Sequence, residues 1–185
     1  MLNIHILNIK DVKINKEKII EYIDSERRKK ALRYKHEEDI LRSLASSYFI
    51  KKYVGDITYN KYGKPLSDKK YFNISHANEY IVYVEDIKPI GIDIEFIRDI
   101  KDDLINYSLN DSEIKSLKDK SEFYYFWTKK EAIVKLKGGT LNDIKNIIEN
   151  NKDINTITIK YDNNYYLSIA SLDKNEIRVI NEKID

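Results

Sequence analysis

Residues 121–137 leave little choice but a helix, because apolar and aromatic side chains recur along one stripe and Gly138 and Gly139 follow as stops. Ser121 suits the N-cap and Glu122 the first turn. Trp127, Glu131 and Lys135 then stand at i, i+4 and i+8 on one face, which Phe123 extends. Upstream, Ile90 to Ile94 alternates as a strand, with Asp93 and Glu95 on one face and Ile92 and Ile94 on the other. A strand and a helix of this kind, laid face to face, bring three carboxylates and a lysine to one place.

Two carboxylates held that close repel unless something neutralises them, and a hard divalent cation does so with oxygen ligands. The pattern is that of a divalent-metal site able to handle a pyrophosphate. Each half alone has an ordinary explanation as well. Asp93 and Glu95 fit the wet face of an edge strand. Glu131 and Lys135 are ordered as a surface ion pair worth about 0.3–0.5 kcal/mol. Aromatic residues ahead of the charges point instead to a half-buried wall.

Composition narrows the functional classes. A hydrophobic content of 42% with 35% charged residues describes a globular chain with an adequate core. The formal net charge of +2 gives no general attraction to nucleic acid or to a membrane, so any anion site must be local. The absence of cysteine excludes disulfides, zinc–thiolate sites and thiol catalysis, and fits a cytoplasmic setting. No signal peptide is expected from Met1-Leu-Asn-Ile-His-Ile, and no apolar stretch reaches membrane-spanning length.

Along the chain, strands are predicted near 2–9, 71–75, 80–85, 89–95, 154–161, 164–171 and 176–180, with Asp162-Asn163-Asn164 as a hairpin turn. Helices are predicted at 16–23, at 25–34 with Ser25 as cap, near 101–107 and 111–118, and at 121–137. The clearest amphipathic helix is 37–54, with Ile40, Leu41, Leu44, Ala45, Tyr48, Phe49 and Tyr53 on its apolar face and Gly55 ending it. Helices followed by strands occur twice, a faint duplication with its seam near Pro89, dividing the chain into halves 1–88 and 89–185.

Read together, these segments resemble the 4′-phosphopantetheinyl transferase superfamily, in its larger, surfactin-synthetase-activating (Sfp) type. Its G-[IV]-D-[IV]-E strand stands here as Gly91-Ile92-Asp93-Ile94-Glu95, and its W-[ST]-x-K-E-[AS]-x-x-K helix as Trp127 to Lys135. A G-K-P loop is present as Gly63-Lys64-Pro65 and an N-[IV]-S-H strand end as Asn73-Ile74-Ser75-His76. A basic helix, Ser25-Glu26-Arg27-Arg28-Lys29-Lys30, leads on to Arg42. These ordered blocks span roughly residues 23–141.

The resemblance implies an α+β fold built as a pseudo-dimer of two similar halves, active as a monomer, with coenzyme A in the cleft between them. It implies transfer of 4′-phosphopantetheine from coenzyme A to a serine of an acyl or peptidyl carrier protein. Asp93, Glu95 and Glu131 would hold Mg²⁺ or Mn²⁺, Glu131 would also act as the base, and Lys135 would contact the attacked phosphate. Arg27, Lys30 and Arg42 would meet the 3′-phosphate and pyrophosphate, Lys64 and Pro65 the adenine, and Ser75 and His76 the phosphates. The carrier would dock on the region about 100–126, with Tyr107, Leu109, Leu117, Phe123 and Tyr124 as candidates.

This chain departs from the pattern in three ways. Arg27 replaces a common lysine, Thr140 replaces the second glycine after the catalytic helix, and the segment beyond the motifs is short. Two rival functions stand beside this one. A metal-dependent phosphodiester or diphosphate hydrolase would use the acids to activate water. A nucleic-acid or partner-binding module would use Arg27–Lys30 and the 15 tyrosines as a stacking surface, which the near-neutral charge disfavours.

Overall fold

The computed structural model describes residues 1–59, 65–139 and 144–184, and the architecture is α+β in two compact units. Met1–Ile87 with Ile177–Asp185 form the first, and Lys88–Glu176 the second. The chain passes from one unit to the other between Ile87 and Lys88, and the final strand, which a division into 1–88 and 89–185 puts in the second half, belongs to the first unit.

In the first unit, β1 (Leu2–Asn8) runs into α1 (Ile9–Ile14), α2 (Lys16–Tyr22), α3 (Ser25–Ala31) and α4 (Glu37–Phe49). Two short strands, β2 (Thr58–Tyr59) and β3 (Pro65–Leu66), pair with each other. β4 (Tyr71–Ala77) and β5 (Tyr80–Asp86) complete a sheet in which β5 lies antiparallel between β4 and β1. The late strand β9 (Ile177–Asn181) adds in parallel to the other edge of β1. Asn78 takes a left-handed φ of 42° at the tight β4–β5 turn, where a short polar side chain is tolerated.

The apolar face expected for 37–54 is the one that packs. Leu41, Leu44, Ala45, Tyr48 and Phe49 are buried with Leu7, Ile81 and Tyr83 of the sheet. Each of the leucine, isoleucine and phenylalanine side chains contributes roughly 1.5–3 kcal/mol by leaving water. Regular helix ends at Phe49, and Ile50–Val54 continues as a π turn that Gly55 closes at φ 84°. Asp24 rather than Ser25 holds the N-cap position of α3, so the chain enters that helix one residue earlier than its hydroxyl suggested. Helix α1 was not expected from sequence; Asn8 caps it through a side-chain bond to the Lys10 amide. After β9, Glu182 accepts from Tyr53 Oη at 2.6 Å and Lys52 Nζ at 2.8 Å and lies 2.6 Å from His5 Nδ1, which fastens the tail to the sheet.

The second unit repeats the path. β6 (Ile90–Phe96) leads into α5 (Asp102–Ser108), α6 (Asp111–Ser116) and α7 (Phe123–Lys137), then β7 (Asn155–Tyr161) and β8 (Tyr165–Ser171). The sheet order is β6-β8-β7, all antiparallel. Within the main sheet of each unit the first strand in chain order thus pairs with the third, and the third with the second: β1 with β5 and β5 with β4, β6 with β8 and β8 with β7. Asp162 and Asn163 turn the β7–β8 hairpin at φ 47° and 54°. Helix α7 starts at Phe123 after a 3₁₀ turn at Lys120–Glu122, whose first amide bond is made by Asp119, not by the expected Ser121 cap. Its end is as expected: Gly138 is left-handed at φ 67°, and the Gly139 amide reaches back to the Val134 carbonyl.

Candidate active site

Helix α7 lies on the face of the second sheet that carries Gly91, Asp93 and Glu95, and Gly91 allows the approach. A Cβ on Gly91 would fall 2.6 Å from the Leu136 amide nitrogen and closer still to the Ala132 carbonyl oxygen. The glycine of the G-I-D-I-E strand therefore serves close packing of helix on strand. Ala132, fully buried, is its small counterpart on the helix. Thr128 adds a polar tie, its Oγ1 lying 2.7 Å from Ser168 Oγ of β8, opposite Asp93 in the strand register.

This packing brings the predicted acids and lysine together around Asp93. Lys135 Nζ donates to Asp93 Oδ1 at 2.6 Å, with Asp93 buried and Lys135 partly open. Burial pushes Glu95 up to about 7, with the charge of Asp93 adding to it and the Trp127 indole N–H, which donates to Glu95, opposing it. Glu131 is pushed up by burial and again by Asp93, with Lys135 opposing. Two carboxylates are thus held against a third in a poorly solvated place, with the charges of Lys135 and Arg98 opposing them.

Among the described residues no group of three or more acids or histidines is arranged to hold a metal ion. The donor chemistry nonetheless fits a hard divalent cation. The site offers carboxylate oxygens only, and the charge of Asp93, which adds to the effect of burial on both Glu95 and Glu131, is one that a cation would offset.

The electrostatics give a testable pH dependence. Glu95 in the folded protein holds its proton up to about 7 against an ordinary value of 4.5, so its contribution favours the fold at low pH. That contribution is lost as pH rises through about 7. In EDTA, the melting temperature of the wild type relative to Glu95→Gln is expected to fall between pH 5 and 8. Mg²⁺ should restore it at pH 8 far more than at pH 5. A difference that stays flat with pH would show that Glu95 is solvated and ordinary.

The first unit carries the other predicted residues. A cavity of about 320 Å³ is lined by Arg27, Lys30, Arg42, Pro65 and His76, among others. Arg27 is largely committed to the fold, donating to Asp24 Oδ2 at 2.9 Å and to the Gly55 carbonyl at 3.3 Å. Arg42 reaches Glu38 at 2.7 Å and Asp39 at 3.1 Å. Lys30 lies over the ring of Tyr59, 5.1 Å from its centroid, and Tyr59 also lines the cavity. Ile74 and His76 face it, while Ser75 is buried on the opposite side of β4 and does not line it. Gly63 and Lys64, like Thr140, lie outside the described residues.

In the 100–126 region, Leu109, Phe123 and Tyr124 form a small core with Ile105, onto which Leu117 packs. These are not surface candidates; the exposed apolar side chains there are Leu104 and Tyr107, both on α5. The sequence reading also missed Lys130, which is fully buried. Its partner Glu113 was legible in principle, since Asn110 and Glu113 have the spacing of a capping box and form one.

No helix among the described residues is long and apolar enough to cross a membrane. The family profile of the 4′-phosphopantetheinyl transferase superfamily matches residues 89–179, nearly the whole second unit with its acid-bearing strand and helix. The chain is 32% identical over 146 residues to 4′-phosphopantetheinyl transferase Sfp of Bacillus subtilis (strain 168), covering 68% of this chain and 65% of that protein. It is 30% identical over 151 residues to 4′-phosphopantetheinyl transferase gsp of Aneurinibacillus migulanus, covering 72% and 60%. A further 4′-phosphopantetheinyl transferase of Bacillus subtilis is 33% identical over 146 residues. The matches therefore span somewhat less than two thirds of the relatives' length. With the strand and helix motifs packed face to face in the matched unit and these relatives alongside, the chain belongs to the 4′-phosphopantetheinyl transferase superfamily, with its likeness to the Sfp type.

Proposed function

We propose that this protein is an enzyme that transfers 4′-phosphopantetheine from coenzyme A to a serine of an acyl or peptidyl carrier protein, releasing 3′,5′-ADP. The observation that carries the reading is the Asp93–Lys135 ion pair at 2.6 Å with Glu95 and Glu131 crowded against it. In the reaction a bond forms between the serine oxygen and phosphorus, and the pyrophosphate P–O bond breaks. Glu131, made more basic by burial, takes the serine proton, directly or through water. Lys135, on the same helix face, turns from Asp93 toward the attacked phosphate and offsets its added charge.

Asp93, Glu95 and Glu131 would hold Mg²⁺ or Mn²⁺, which supplies charge neutralisation at the pyrophosphate when bound. The nucleotide end of coenzyme A is read into the cavity of the first unit, where Lys30, Arg42 and His76 offer cationic and polar groups and Tyr59 a ring. The carrier is read onto α5 through Leu104 and Tyr107. The matching strand paths of the two units support a duplication, the pseudo-dimer of the family, and a chain that carries both units is expected to act as a monomer in the cytoplasm.

The test is intact-mass spectrometry of apo acyl and peptidyl carriers incubated with the protein, coenzyme A and Mg²⁺, with an EDTA control. A metal-dependent gain of one phosphopantetheine group is expected. Unmodified carriers with coenzyme A intact would overturn the reading, and coenzyme A cleaved without carrier modification would make the protein a hydrolase.

A further inference from the structure

Lys130 stands one residue before the proposed base and has no exposed surface. Its ammonium reaches four oxygens: Glu113 Oε2 at 2.7 Å, the Ser108 carbonyl at 2.8 Å, the Lys145 carbonyl at 2.8 Å and the Ile144 carbonyl at 3.0 Å. These come from the end of α5, from α6 and from the 3₁₀ turn that follows α7 in sequence. Glu113 is itself fixed, because the same Oε2 accepts from the Asn110 amide at 2.9 Å in the α6 capping box. The Asn110 side-chain amide in turn reaches the Lys145 carbonyl at 3.4 Å.

A buried ion pair is seldom the most stable filling for a core, since an apolar pair of like volume often does as well or better. What it does supply is direction. A lysine head has three N–H donors at fixed angles, and satisfying them on several elements at once admits few orientations of the helix that carries it. On the sheet side α7 is held by the Gly91–Ala132 approach and the Thr128–Ser168 bond. On the other side Lys130 stops it from rolling. A roll of α7 would move Glu131 and Lys135 together, since both share its sheet-facing side.

We propose that Lys130 is a positioning residue for the transfer: its Glu113-clamped ammonium sets the roll of α7 and so the aim of Glu131 and Lys135 at Asp93. The proposal rests on the transferase reading above. It also ties α5, the proposed carrier face, to the reacting groups through the Ser108 carbonyl.

The experiment compares wild type, Lys130→Met, and the double variant Lys130→Met with Glu113→Leu, which replaces the ion pair by apolar side chains. Melting temperature, Mn²⁺ affinity by EPR, and kcat and KM for coenzyme A are measured on each. Lys130→Met alone should melt lower, with Glu113 left buried and unbalanced. The double variant should recover the melting temperature while Mn²⁺ affinity falls about 10-fold and kcat about 100-fold, with KM for coenzyme A within about two-fold. Wild-type Mn²⁺ affinity and kcat in the double variant would overturn the proposal and leave Lys130 a structural filler. Should the double variant not fold, Glu113→Gln, which keeps shape and removes charge, is expected to lower kcat about 10-fold at unchanged KM, and wild-type kcat there overturns the proposal equally. A wild-type protein that neither binds Mn²⁺ nor modifies a carrier would instead fail the transferase reading itself.

Discussion

Glu131→Gln is expected to lower carrier modification by about 10²–10⁴-fold while the protein melts at or above the wild-type temperature. The two effects have one cause. Glu131 is half-buried against Asp93, so removing its charge relieves repulsion in the fold and at the same time removes the proposed base. Lys135→Met should separate from it in sign. It leaves Asp93, 5% exposed at the side chain, without the ammonium 2.6 Å away, so stability should fall by about 3 kcal/mol along with transfer. Carrier mass shifts over time and thermal melts of both variants check this. Equal stability changes in the two would mean that the charges around Asp93 are not coupled as the geometry requires.

Gly91→Ala is expected to be nearly as damaging although it adds a single methyl group. That carbon would meet the backbone of α7 at Ala132 and Leu136, and backbone cannot rotate away as a side chain can. The helix must lift off the strand, which costs about 1–3 kcal/mol in overpacking and moves Glu131 and Lys135 away from Asp93. A displacement on the order of 1 Å at such a site costs about 10²-fold in rate. Gly139→Ala, with nothing within 4 Å of the added carbon, is the matched control and should be near neutral. Urea melts and carrier modification on the two alanine variants decide it, and near-wild-type transfer by Gly91→Ala would show that α7 has slack.

The strands and helices were legible because this chain writes its periods clearly. Alternation in Ile90–Ile94, the apolar stripe from Ile40 to Phe49 and the glycine stop at Gly138 each report a local constraint that the backbone satisfies locally. Helix starts were less legible, because a serine is a candidate cap wherever it stands. The actual N-cap of α3 is Asp24, and Asp119 supplies the side-chain bond ahead of α7. Among the candidate site residues, Asp93, Glu95, Glu131 and Lys135 were brought together by two face assignments. Ser75 and His76 could not both face one cavity, since neighbours on a strand point opposite ways. Leu109, Phe123 and Tyr124 read as surface candidates because no local pattern shows that α5, α6 and the start of α7 fold onto one another into a core of their own.

What this sequence determined by itself is the chemistry on offer: which carboxylates share a strand face, which base and cation share a helix face, and where each element stops. These follow from the 2.0 and 3.6 residue periods of the backbone and need no knowledge of distant residues. Only the tertiary structure decided which groups meet and what they then become. Lys135 finds Asp93, Glu95 rises toward neutrality under burial, and Lys130, adjacent in sequence to the proposed base, turns inward to clamp Glu113. Partner choice and desolvation depend on contacts between residues far apart in the chain, and no local pattern encodes those.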